Sequence, residues 1–219
     1  ANYANTFNAL ETVESNRSQY FLSDTTYFST QEKVNRSKNE SHELNLSIKY
    51  DIDSLTTLEI LPKLKINKAS SVNNDQTDFI AEDNGLTRQT NVNNTNDAEG
   101  LNFKTRVGLT RKFKKEKREL KIINNFVYDK NTSEGTLYTK NSNFGNPLLS
   151  DTTDQKKSGN ASIISNIFDI TYVEPLTKKF RLEMEYELFN TVNDQERITF
   201  NAINGQYTEL DSNYSNIFT

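Results

Sequence analysis

The sequence has no cysteine, which excludes a disulfide framework, a thiolate zinc site and a cysteine nucleophile. Its one histidine, His42, leaves little from which to build a triad or an imidazole metal site. No apolar run approaches the roughly 18–20 residues that a membrane-spanning helix needs, and neither a Gly-rich phosphate loop nor a GxSxG elbow is present. Only 33% of residues are hydrophobic and mean hydropathy is -0.80, too little to fill the core of a soluble domain of 219 residues. A net charge of -4 argues against a nucleic-acid partner, which calls for a basic surface. The polar opening ANYANTFNAL has no signal-peptide character, so the chain reads as a mature protein or an excerpt.

What is present contradicts disorder. Aromatic residues reach 11%, and they sit in segments that alternate with period two, the strand period. In HELNLSIKY, Leu44, Leu46, Ile48 and Tyr50 share one face, while Glu43, Asn45, Ser47 and Lys49 share the other. After a turn near 53–55, TLEILPKLKIN sets Leu58, Ile60, Pro62, Leu64 and Ile66 against Thr57, Glu59, Lys63 and Lys65. If Ile52 pairs with Thr56, Tyr50 faces Leu58 and Ile48 faces Ile60, while Lys49 meets Glu59 and Glu43 meets Lys65. A slip of one residue would move every apolar side chain to the wrong face.

The pattern recurs twice. Leu101, Phe103, Val107, Leu109 and Phe113 precede the basic turn KKEKR at 114–118, and Leu120, Ile122, Phe126 and Tyr128 follow it. Ile164, Phe168, Ile170 and Tyr172 precede a turn at 174–179 and are expected to pair with Phe180, Leu182, Met184 and Tyr186. Between these hairpins, polar stretches at 22–41, 68–98, 130–160 and 190–208 read as long loops. Short turns alternating with long polar connections, about eight strands, and alternating segments of roughly 9–11 residues suit an antiparallel transmembrane β-barrel. Only one face of such strands meets lipid, so the chain stays hydrophilic on average. Tyr50, Phe113, Tyr172 and Phe180 fall beside the short turns, where an aromatic girdle belongs. A soluble β-sandwich also alternates, but its turn signals usually recur every 8–12 residues.

The strings KYDIDSLTTLEILP (Lys49–Pro62), RKFKKEKREL (Arg111–Leu120), TYVEPLTKKFRLEMEYE (Thr171–Glu187) and YTELDSNYSNIF (Tyr207–Phe218), in this order, resemble the Bacteroidota outer-membrane β-barrel family, which is similar to TonB-dependent receptors. The resemblance implies a barrel of roughly 22 strands, a plug domain and energy supplied through TonB, with this chain as a mid-barrel portion. It implies the outer membrane of a Gram-negative bacterium as location, and outer-membrane lipid and surface lipoproteins or other complex subunits as partners. Nothing in the chain resembles a plug or a TonB box.

The expected function is uptake, or the scaffold of an outer-membrane complex. An alternative is a surface-exposed adhesive or ligand-binding β-domain without transport, and a third is a small barrel hydrolase. No catalytic, cofactor or metal residues are expected, and the chain does not read as an enzyme. His42 shares the parity of Leu44 and Leu46 and reads as an outward interfacial residue. Glu183, Glu185 and Glu187 share one face and read as lumen charges balanced by Arg181, against the sharper option of a general acid/base pair. SVNNDQTDF and NVNNTNDAEG carry oxygen ligands but lack the ordered spacing of an EF-hand calcium loop.

Overall fold

The computed structural model describes residues 1–21, 26–83 and 85–218. They form one antiparallel sheet of ten strands, with a single 3-10 turn at Pro147–Leu149. The strands are β1 (Asn2–Phe21), β2 (Thr26–Asn45), β3 (Ile48–Asp53), β4 (Thr56–Ala81) and β5 (Leu86–Lys112), followed by β6 (Glu119–Asn143), β7 (Asp151–Pro175), β8 (Arg181–Ile203), β9 (Gln206–Leu210) and β10 (Asn216–Phe218). β2 and β3 lie end to end along β4, and β9 and β10 end to end along β8, so the sheet is eight strands wide. Its order is β1-β2-β4-β5-β6-β7-β8-β10. No ladder joins β1 to the β8 side among the described residues, so the sheet is open and does not close into a small barrel.

Period-two patterning fixes the register where one face is apolar. Tyr50 lies opposite Leu58, Ile48 opposite Ile60, Lys49 opposite Glu59 and Glu43 opposite Lys65, all as the alternation requires. Ile52 departs from it: a bulge between Asp51 and Asp53 leaves it out of the ladder, and Asp53 takes the place beside Thr56. The cause is the turn, where the Asp53 carboxylate accepts from the Leu55 amide at 2.7 Å and the Thr56 hydroxyl at 3.0 Å. The third hairpin also differs. Tyr172 pairs with Met184, Ile170 with Tyr186, Phe168 with Leu188 and Ile164 with Val192. Phe180 precedes the strand and Leu182 lies opposite Glu174, because the Leu176 and Thr177 amides both donate to the Phe180 carbonyl at 3.0 Å and lengthen the turn.

The larger correction concerns the polar stretches. Most of 22–41, 68–98, 130–160 and 190–208 is strand and not loop. The connections at that end are 22–25, which lies outside the described residues, then 82–85, 144–150 and the pair Asn204–Gly205. Polar side chains pair here across neighbouring strands. Thr95 bonds Thr136 at 2.8 Å, Asn93 donates to Asn74 at 2.6 Å and Gln31 donates to Asp75 at 2.7 Å. Each such pair contributes roughly 0.2–1 kcal/mol, and the ladder satisfies the backbone between them.

Among the described residues no apolar side chain is buried. A single sheet has no second layer to pack against, so a hydrophobic core of the kind a soluble sandwich builds is missing.

Candidate functional site

The candidate functional element is the sheet itself, because its two faces differ in chemistry. Residues directly opposite across successive ladders share a face, and seven of them form the row Tyr3, Leu44, Leu64, Phe103, Tyr128, Ile164 and Val192. Four residues nearer the short turns runs Ile48, Ile60, Val107, Asn124, Phe168 and Leu188; the next is Tyr50, Leu58, Leu109, Ile122, Ile170 and Tyr186. Along β4 this band extends from Thr56 to Ile66. Eleven residues at about 3.3 Å each, tilted about 45°, rise roughly 25 Å, the height of a barrel's lipid-facing belt. Ile48, Ile164 and Leu188 remain about half exposed on this face.

The opposite face at the same height carries charge and amide. Lys63 pairs with Glu43 at 2.8 Å, and Asn102 donates to Asp129 at 2.8 Å. Glu183, Glu185 and Glu187 line this face along β8, opposite Val173, Thr171 and Asp169; Glu183 lies 3.4 Å from Arg181. Glu187 thus stands beside another acid, Asp169, across the ladder. His42 stands on the apolar side in the row of Asn5, Ile66 and Leu101, at the end of the belt farther from the short turns. Its ring stacks on Tyr3, its Nδ1 lies 2.7 Å from the Tyr3 hydroxyl and its Nε2 lies 3.0 Å from Glu40. Both ring nitrogens are thus engaged by neighbours in the sheet.

The short-turn end is strongly cationic, with Lys112, Lys114, Lys115, Lys117, Arg118, Lys178, Lys179 and Arg181 gathered there. Glu174 links two of these turns: Lys115 reaches it at 2.6 Å, Arg118 at 2.7 Å, and the Tyr172 hydroxyl donates to it at 2.7 Å. Hydrogen bonds from Arg118, Lys115 and Tyr172 lower the Glu174 pKa to about 2. Phe113 meets Tyr172 edge-on at 6.3 Å, and Arg111 pairs with Asp53 at 2.6 Å. Polar anchors and aromatic rings therefore meet at one end of the belt.

The acidic, Asn-rich strings occupy β4 and β5. Asp75 receives Gln31, and Asp78 receives Gln76 and Gln89. Among the described residues no three His, Asp or Glu side chains gather as a metal site. At the far ends of the strands Tyr20 stacks on Tyr27 at 4.7 Å, and Arg88 covers the Phe79 ring at 3.9 Å. The sequence reading missed this aromatic rim by placing most of it in loops. It also missed the turn at Asn204–Gly205, whose positive φ values of 51° and 78° are those of a two-residue hairpin turn. The Asn-Gly dipeptide was the available signal.

No model of a known protein family matches the sequence, and no curated protein matches it.

Proposed function

We propose that this chain is part of the wall of a transmembrane β-barrel in the outer membrane of a Gram-negative bacterium, TonB-dependent-receptor-like, acting in uptake or as scaffold of an outer-membrane complex. One observation carries the reading: an apolar belt seven strands wide and eleven residues long on β4, with no protein layer over it among the described residues. Hydrocarbon is the solvent that such a belt suits. The polar face then lines the interior, and the strands continue beyond the belt into water.

The free edges support a larger barrel. β1 pairs only with β2, and residues 181–194 of β8 pair only with β7 among the described residues. In lipid each unsatisfied backbone group costs several kcal/mol, so further strands must cover both edges. A plug, TonB and a surface lipoprotein are the partners such a barrel takes in the family that the sequence resembles.

The proposal is tested on the intact protein by membrane extraction. It should stay with membranes through a high-pH wash and become monodisperse only in detergent. A monodisperse protein in plain buffer would overturn it. The adhesive alternative draws on a separate feature, the long two-faced polar extension of β4 to β8 past the belt, and it predicts that buffer result.

A further inference from the structure

Past the belt, the polar face of β4 to β8 holds a shallow groove of about 390 Å³. Its sides bear the carboxamides of Asn67, Asn96, Asn131 and Gln195, and its cations are Lys157 and Arg197. The register makes these two cations diagonal neighbours on one face, since Lys157 lies opposite Thr199 and Arg197 opposite Gly159. Diagonal neighbours in a sheet are within reach of long side chains. Neither has an ion-pair or hydrogen-bond partner among the described residues, whereas Lys68, Arg36 and Lys156 do. Lys68 pairs with Glu99 at 3.0 Å and Arg36 with Glu11 at 3.1 Å.

The carboxylates around the groove are committed or turned away. Glu99 and Glu196 border it, but alternation puts their side chains on the other face, where Glu99 holds Lys68. Asp211 sits one row farther out on the same face and accepts from Gln155 and Asn201, each at 3.2 Å. Gly100 and Gly159 leave room for their neighbours' polar side chains to lie over the sheet: the Asn67 amide stands 2.7 Å from where a Cβ on Gly100 would be, and the Ser133 hydroxyl 2.8 Å from one on Gly159. Burial and the neighbouring Arg197 both push the Lys157 pKa below its ordinary value, the mark of a cation pair without a counter-ion.

We propose that Lys157 and Arg197 form an oxyanion subsite for a carboxylate or phosphate group carried on a hydroxyl-rich ligand. An anion between the two cations converts their repulsion into two charge-assisted contacts, and the guanidinium offers a two-pronged donor. The surrounding carboxamides both donate and accept, which matches hydroxyl groups. The inference requires that this face meets water, and it does not depend on what covers the apolar belt.

The test is titration calorimetry on the intact protein with glucuronate, glucose 6-phosphate and glucose. One or both anions should bind and glucose should not, and comparing the two separates a carboxylate source from a phosphate source. Lys157→Gln and Arg197→Gln should each weaken binding about tenfold or more. Arg197→Lys should retain part of the affinity, which guards against loss through misfolding. Lys156→Gln, on the other face and beside Glu134 at 3.6 Å, should change nothing. Equal binding of glucose, no binding of either anion, or anion binding that survives both glutamine variants would overturn the proposal. Failure here leaves the membrane reading standing, because extraction tests that reading separately.

Discussion

Arg106 and Val107 are adjacent in β5 and stand on opposite faces, Arg106 beside Leu61 and Asn125, Val107 beside Ile60 and Asn124. Exchanging them (Arg106→Val with Val107→Arg) keeps composition, charge and mean hydropathy unchanged. It moves one guanidinium to the middle of the apolar belt. If lipid covers that belt, arginine near the bilayer midplane costs about 2–4 kcal/mol, a factor of roughly 30 to 700 in the folding equilibrium. If water covers it, the exchange moves an arginine between two wetted faces and should cost under about 0.5 kcal/mol, the usual range for surface changes. The assay is reversible urea unfolding of the intact protein in lipid vesicles, followed by circular dichroism. An exchanged protein within about 0.5 kcal/mol of the parent would refute the reasoning.

Three further outcomes follow from local geometry. Glu174 titrates at about 2 when folded, below the ordinary 4.5, so its stabilising contribution is complete above about pH 4.5 and falls away as pH drops through about 2; Glu174→Gln should flatten stability across that acid window in a pH-dependent melting series. Gly135→Ala should destabilise by about 1–3 kcal/mol, because its Cβ would clash with the Thr95 carbonyl oxygen, whereas Gly108→Ala, with open space around it, should be neutral or slightly stabilising in the same unfolding assay. Gly205→Ala should cost about 1 kcal/mol or more through its φ of 78°, and hydrogen exchange should show the β8–β9 hairpin loosening first.

The sequence disclosed the belt and the register of its first hairpin, though not that of its third, and physical reasons explain why it disclosed less elsewhere. Where one face is apolar, as from Leu44 to Ile66, alternation admits one register, and the ladders at Ile48–Ile60 and Tyr50–Leu58 follow it. Beyond Ile66 both faces are polar, so alternation carries no signal. Asn73, Asn74, Asn93 and Asn94 then read as loop by propensity, although paired amides hold them in strands. The bulge at Ile52 was hidden because it answers to an aspartate cap and not to hydrophobicity. The Lys157 and Arg197 pairing was likewise illegible, since 40 residues of sequence separate them and only the β7–β8 register makes them neighbours. His42 lies on the apolar face, as its parity with Leu44 indicates, but its bonds to Tyr3 and Glu40 needed the neighbouring strands in place.

The central claim is directly measurable, because this chain has no cysteine of its own to compete with a single engineered label. Spin labels at Ile164→Cys and Ser165→Cys would sit side by side in β7 on opposite faces. In lipid vesicles the account predicts that the label at 164 relaxes with dissolved oxygen and is shielded from a water-soluble nickel reagent, with the reverse at 165. Equal access of the nickel reagent to both positions would contradict it.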